Sequence, residues 1–214
     1  MQFSNNFCAN PVDITTGRGT VFGKLDLEPE KGLNLDIGFR YLHDKFFVSI
    51  YGFRNTISDM IQKYSGLVEE EFFYRNLSQA RISGLEGEFY LSVFKDVELY
   101  VNFHHIKGRE KDSDTYLNYI PPSRLRLWIK FSLGEFWLEP KVTLAASHKN
   151  PGPLENEIDG YSLFNAIFGY NLSPKVTLHA IVQNLFDQTY RLSADEQGVD
   201  APGRGFVFKI SFSL

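Results

Sequence analysis

Apolar and polar residues alternate one for one along most of this chain. Leu33, Leu35, Ile37, Phe39 and Tyr41 are separated by Asn34, Asp36, Gly38 and Arg40. Leu85, Phe89, Leu91 and Val93, with Gly87 among them, alternate with Glu86, Glu88, Tyr90 and Ser92. Val97, Leu99, Val101 and Phe103 alternate with Glu98, Tyr100, Asn102 and His104. The pattern recurs over Arg124–Leu133 and Phe206–Leu214. Period two over such lengths places side chains on opposite faces of a strand, one apolar and one polar. Nine strands are predicted, at 32–42, 46–57, 81–93, 96–106, 123–133, 135–147, 160–171, 175–186 and 204–214. The second is the hardest to orient, because Phe47, Val48, Ile50, Tyr51 and Phe53 do not choose one face.

The links between strands also alternate in kind. Short ones fall at Leu42–Lys45, Phe94–Asp96, Leu133–Glu135 and Leu172–Pro174, and long polar ones at Ser58–Ala80, Lys107–Pro122, His148–Gly160 and Asp187–Gly203. Strands of this length suit a tilted bilayer crossing, which needs about 9–11 residues. Short turns at one end and long loops at the other are the arrangement of outer-membrane barrels, with the long loops outside the cell. The expected fold is therefore all-β: an antiparallel meander of about nine long strands, part of a transmembrane β-barrel. A soluble sandwich could also turn the polar faces to water.

Composition sharpens this picture. Mean hydropathy is −0.22 although 43% of residues are hydrophobic, as expected where the two faces cancel. Phe 20 and Tyr 11 make the chain rich in residues that favour strands and membrane interfaces. The net charge of −4 carries no basic excess, so nucleic acid is not an expected partner. Cys8 is the only cysteine, which excludes an intrachain disulfide or a multi-cysteine metal site. No apolar run approaches the roughly 18 residues of a membrane-spanning helix. Met1–Asn10 has neither the basic nor the apolar region of a secretory signal. A barrel needs export, so a removed signal or upstream residues are expected.

Candidate chemistry is sparse. No nucleophile elbow, phosphate loop or paired-histidine zinc motif occurs. His104 and His105 are the best metal candidates, but adjacent strand residues point to opposite faces and cannot easily chelate one ion. His43, His148 and His179 read as ordinary polar positions. Glu69, Glu70 and Glu71 fall in a long loop and read as a solvated charge run, with cation gathering as the lesser alternative. No catalytic, cofactor-binding or metal residue is nominated, and ligand-binding residues are left unassigned.

Four segments resemble the TonB-dependent outer-membrane receptors. Lys24–Glu30, within Thr16–Lys31, is similar to a segment that precedes a barrel strand in that family, with Lys24 where Asn is usual. Asn76, Ala80, Gly84 and Glu86 are similar to an N-x-x-x-A-x-x-x-G-x-E strand start. Ile120-Pro-Pro-Ser-Arg-Leu125 is similar to a third, and Asn184-Leu-Phe-Asp-Gln-Thr-Tyr190 followed by Pro202-Gly-Arg204 to the family's C-terminal ending. Physically, these residues suit loop–strand junctions: Pro121 and Pro122 block pairing before Ser123, and Asn184 and Asp187 can bond nearby backbone. The resemblance implies residues 1–31 as a segment leading into the barrel and 32–214 as the C-terminal part of the barrel. The family's plug domain is expected to be absent from this chain, and an odd count of nine strands is expected to leave the sheet open. The implied function is uptake of a scarce nutrient (iron–siderophore, haem, cobalamin or glycan), through the outer membrane of a Gram-negative bacterium, with lipid around the barrel. A TonB complex would act through the plug, so this chain alone is not expected to transport. The reading is of a non-enzyme without cofactor. The alternatives are a binding module such as a sandwich lectin or adhesin, separable by detergent dependence, and an outer-membrane enzyme, for which no Ser-His-acid set is evident.

Overall fold

The computed structural model describes residues 14–16, 19–68, 70–113, 115–192, 194 and 198–213. Two short strands, β1 (Ile14–Thr16) and β2 (Gly19–Val21), precede nine long ones: β3 (Lys31–His43), β4 (Phe46–Ser65), β5 (Glu71–Phe94), β6 (Val97–Glu110), β7 (Arg124–Leu133), β8 (Phe136–Ala145), β9 (Tyr161–Ser173), β10 (Val176–Gln183) and β11 (Gly205–Phe212). No helix occurs among the described residues. From β3 to β11 each strand pairs antiparallel with the next in sequence. This is the predicted meander. It is one sheet, not two packed sheets, which sets the sandwich alternative aside.

Register holds the two faces apart. Directly opposed residues lie on the same face of a sheet. One row runs Tyr41, Val48, Phe89, Val101, Leu127, Val142 and Phe164 across seven strands. The row one residue along runs Arg40, Ser49, Glu88, Asn102, Arg126, Thr143 and Leu163. The apolar face is left uncovered: Leu85 is 43% exposed and Phe208 83%. A one-residue slip anywhere would exchange the faces of every later strand. Two-residue turns at positions 44–45, 95–96, 134–135 and 174–175 guard against this, and Gly134 takes a positive φ of 59° in one of them.

The ambiguous strand, β4, is oriented by glycine. Tyr51 is paired with Gly38 and Phe53 with Gly84, both on the polar face. Each ring lies across its partner glycine: a Cβ at Gly84 would stand 2.6 Å from the Phe53 ring, and one at Gly38 would overlap Tyr51. An aromatic ring covering a strand glycine keeps surface packed that the glycine leaves bare. Trp137 covers Gly169 in the same way.

The segment Ser58–Ala80, expected to be a long loop, is mostly strand. Its two arms continue the β4–β5 pairing in one register to Ser65↔Phe72, and only a short turn closes them. The pairing is interrupted at Asp59 alone, where φ is 56°. Alternation fades here because an arm with solvent on both sides need not show one apolar face, while backbone pairing simply continues. β6 likewise runs to Glu110, past the expected loop start at Lys107. The lead-in Gly19–Glu30 is not a free loop. β2 adds parallel to the tip of β5 at Glu71–Phe72, and Phe22 stacks on Phe73 at 4.9 Å. The chain then crosses the hairpin to start β3 on its other side.

The sheet is open. Among the described residues β3 pairs only with β4, and β11 only with β10, as the odd strand count leads one to expect. A single sheet has no central core. Small buried clusters form instead where loops fold back, around Leu77, Ala80 and Leu117, and around Ala145, Tyr161 and Leu163.

Candidate ligand-facing wall and loop clasp

Alternation delivers to one face a set of groups that no single strand holds together. Arg40 from β3, Ser49 and Tyr51 from β4, Glu86 and Glu88 from β5, Asn102 and His104 from β6 and Arg126 from β7 line an open depression of roughly 410 Å³. Towards the short turns, Tyr90, Tyr100 and Trp128 form a column, with centroids 4.8 Å and 5.1 Å apart and the last two rings within 3° of parallel. Both tyrosine hydroxyls donate to Glu98, each at 3.1 Å, Tyr90 to Oε1 and Tyr100 to Oε2, and Lys130 Nζ lies 4.0 Å from Oε2. Lys141 bridges Glu139 at 2.5 Å and sits 5.7 Å over the Trp128 ring. Charges of both signs, hydroxyls and flat rings suit a polar or aromatic ligand held by hydrogen bonds and stacking. They do not assemble a nucleophile with its base.

At the long-loop end two loops are clasped together. The Glu155 carboxylate accepts the Tyr119 N–H at 2.7 Å and the Gly152 N–H at 2.9 Å. Asn118 Oδ1 accepts the Leu154 N–H at 2.9 Å. His148 Nε2 is buried 3.6 Å from Glu155 and has no hydrogen-bond partner. This histidine, read as an ordinary polar position, is thus an inner part of the clasp. Sequence reasoning passed over Glu155 and Asn118 altogether; they lie 37 residues apart and share no local pattern that could have joined them.

The last loop is shaped by the motif residues. Asn184, with φ of 49°, takes the Gln188 N–H on Oδ1 and donates from Nδ2 to the Gln188 carbonyl. Asp187 accepts the Arg204 N–H at 2.7 Å, and a Cβ at Gly203 would stand 2.6 Å from the same oxygen. Tyr190 packs on Tyr161 at 4.7 Å, and Arg124 donates to the Tyr161 hydroxyl at 3.1 Å. Burial and then Tyr161 push the Tyr190 phenol above its ordinary range, opposed by Arg124.

The remaining sequence candidates are not brought together. His104 bonds the Pro122 carbonyl at 3.2 Å from the polar face, and His105 bonds Ser123 Oγ at 2.6 Å from the other. His179 bonds Ser211 at 3.1 Å and meets the edge of Trp137. Glu70 has φ of 64° in the β4–β5 turn, and Glu71 begins β5. Among the described residues no three metal-ligating side chains converge. Cys8 and Glu69 lie outside the described residues.

A family profile, TonB dependent receptor-like β-barrel, matches residues 2–185. The chain belongs to this family. The ferric enterobactin receptor PirA of Pseudomonas aeruginosa is 21% identical over 228 residues, a match spanning 95% of this chain and 30% of that protein. The vitamin B12 transporter BtuB of Vibrio vulnificus is 26% identical over 187 residues, spanning 86% of this chain and 29% of that one. The copper transporter OprC shares the fold, with a TM-score of 0.81 at 23% identity over 88% of this chain and 32% of its own. The chain therefore spans about three-tenths of the length of the relatives it matches. In a transmembrane barrel the apolar face meets lipid and the polar face lines the interior. The depression, the aromatic column and Glu98 accordingly belong to the interior wall, and the loop clasp to its long-loop rim.

Proposed function

We propose that this chain forms the C-terminal part of the barrel wall of an outer-membrane TonB-dependent receptor that takes up a scarce nutrient, of the iron–siderophore, haem, cobalamin or glycan class. The observation that carries the reading is the two-faced register, shifted only at the short-turn ends of the β5–β6 and β9–β10 pairs, which sets a polar wall, richest in charge on β3 to β8, behind a largely apolar one. Further strands are to pair with the open edges of β3 and β11, since each unsatisfied backbone group in hydrocarbon costs several kcal/mol. Coupling to TonB is to run through a plug domain, so the sheet alone is not transport-competent. The wall's combination of cations, anions and stacked rings suits a polar, partly aromatic cargo. Uptake assays test this. Deleting the gene that encodes the chain should abolish uptake of one such nutrient under limitation, and the same uptake should require TonB. Unchanged uptake across all four classes would overturn the proposal.

A further inference from the structure

Two pairs of tyrosines stand at nearly the same spacing and tilt. Tyr90 and Tyr100 have ring centroids 4.8 Å apart and planes 46° apart; Tyr161 and Tyr190 are at 4.7 Å and 47°. Their hydroxyls are held differently. Tyr90 donates to Glu98 Oε1 and Tyr100 to Glu98 Oε2, each at 3.1 Å. Tyr161 instead receives a hydrogen bond from Arg124, and among the described residues no carboxylate accepts from Tyr161 or Tyr190. Register makes the first arrangement. It sets Tyr90 opposite Tyr100 and Tyr100 opposite Trp128. Glu98, two residues from Tyr100 on β6, returns to the same face.

The shared carboxylate does two things. It gathers the hydroxyl-bearing ends of both rings, and the ring carbons beside a phenol oxygen are where phenoxyl radicals join. It also offers each phenol an anionic acceptor for its proton, within the roughly 2.6–3.2 Å that proton transfer needs. The Glu98 side chain is 31% exposed, so a proton taken there passes on to water. Trp128 lies within 3° of parallel to Tyr100 at 5.1 Å, in stacking contact. An indole in such contact hands an electron hole to a phenol whose proton has somewhere to go.

We infer that Tyr90 and Tyr100 are a site of oxidative modification, which a one-electron oxidant of the hydroxyl- or carbonate-radical class converts to a dityrosine staple between β5 and β6. Each phenol gives one electron to one equivalent of oxidant, Tyr100 directly or through Trp128. Each gives one proton to Glu98 and thence to water. The two phenoxyl radicals then pair their electrons in one carbon–carbon bond between the ring positions beside the oxygens. The hydrogens on those carbons shift to the oxygens as the rings become aromatic again. The two phenols thus lose two electrons and two protons in all, and two equivalents of oxidant are reduced to hydroxide or carbonate. The inference needs only the register of β5, β6 and β7, so it goes beyond the uptake reading and does not depend on the cargo.

The test exposes the full-length protein, in neutral detergent, to tris-bipyridyl ruthenium and persulfate under visible light, which generate a one-electron oxidant. Trypsin then releases Tyr90 and Tyr100 on separate peptides, 82–95 and 96–107, each with a single tyrosine. Mass spectrometry should find these two peptides joined with the loss of two hydrogens, as the main tyrosine cross-link, together with dityrosine fluorescence. Y100F should abolish this product. E98Q should lower it several-fold with the heat-modifiable band retained. The Tyr161–Tyr190 product, at the same ring spacing, should stay minor throughout. Freeze-quenched spin resonance of Y90F, where Tyr100 has no partner to join, should show a tyrosyl radical, and Y90F/E98Q a tryptophanyl radical instead. Tyr161 and Tyr190 joined as readily as Tyr90 and Tyr100 would show that proximity alone governs coupling, and would overturn the site. That comparison is made within the wild type and stands even where E98Q fails to assemble. A wild type without the joined peptides, or an E98Q yield equal to the wild type's, would overturn the site as well.

Discussion

The side-chain amide of Asn76 clamps the backbone of Glu28 from both sides: Oδ1 accepts the Glu28 N–H and Nδ2 donates to the Glu28 carbonyl, each at 2.9 Å. Nδ2 also donates to the Asp59 carbonyl. Beside this clamp, Glu30 Oε1 accepts the Ile61 N–H at 2.8 Å. Two motifs far apart in sequence are therefore one device. Together they strap the chain across the β4–β5 hairpin and deliver it to the start of β3.

Removing the clamp should loosen the strap without undoing the sheet. N76A is expected to cost about 1–2 kcal/mol, the range for losing hydrogen bonds that leave partners partly solvated. Limited proteolysis should then cut within Gly23–Glu30 faster than in wild type, with the heat-modifiable band retained. N76D, which keeps the acceptor and loses the donor, should fall between the two. Equal cleavage in all three would show that the strap is held by β2 and Phe22 alone.

Trp137 lies over Gly169 so closely that a Cβ there would overlap the indole. G169A should destabilise the barrel by about 1–3 kcal/mol, the usual range for overpacking, and shift Trp137 fluorescence. G32A is the comparison, since a Cβ at Gly32 meets nothing within 4 Å. Unfolding in urea from detergent micelles measures both, and similar midpoints would argue that the ring moves aside freely.

Ile129 and Lys130 are neighbours on opposite faces of β7. I129R should impair membrane assembly by about 2–4 kcal/mol, the cost of a cation near the bilayer midplane. K130A should change assembly far less, since its contact with Glu98 is 4.0 Å long and partly exposed. The heat-modifiable fraction in the outer membrane reads the difference, and equal fractions would count against the assigned faces.

The loop clasp predicts a local effect at the rim. E155A removes the carboxylate that the Tyr119 and Gly152 N–H groups donate to and that lies 3.6 Å from the buried His148. Cleavage by trypsin after Lys149 should rise several-fold, while E155Q, which keeps one acceptor oxygen, should show a smaller rise. Barrel assembly should be unchanged in both, and identical cleavage in all three proteins would show that Asn118 alone joins the loops.

Much of this architecture was legible from alternation, because the property that drives it is local. Whether Leu127 and Arg126 point to opposite faces depends only on adjacency, and most of the long strands, β4 excepted, carry that signal. The short turns were legible for the same reason. The motif residues Asn184, Asp187 and Pro122 were readable as junction formers, though not the partners they take: Gln188, Arg204 and His104.

What the sequence determined by itself is the number of long strands, their order and the two faces of the sheet, since each follows from the period of two and from turns of two residues. The tertiary structure decided the rest. It extended β4 and β5 through a stretch without alternation, because backbone pairing continues where solvent lies on both sides. It turned Tyr51 and Phe53 to the polar face, because glycines on neighbouring strands leave room for their rings there. It joined Asn76 to Glu28, because the path of the lead-in segment across the β4–β5 hairpin sets which distant residues meet, and no local pattern encodes that path.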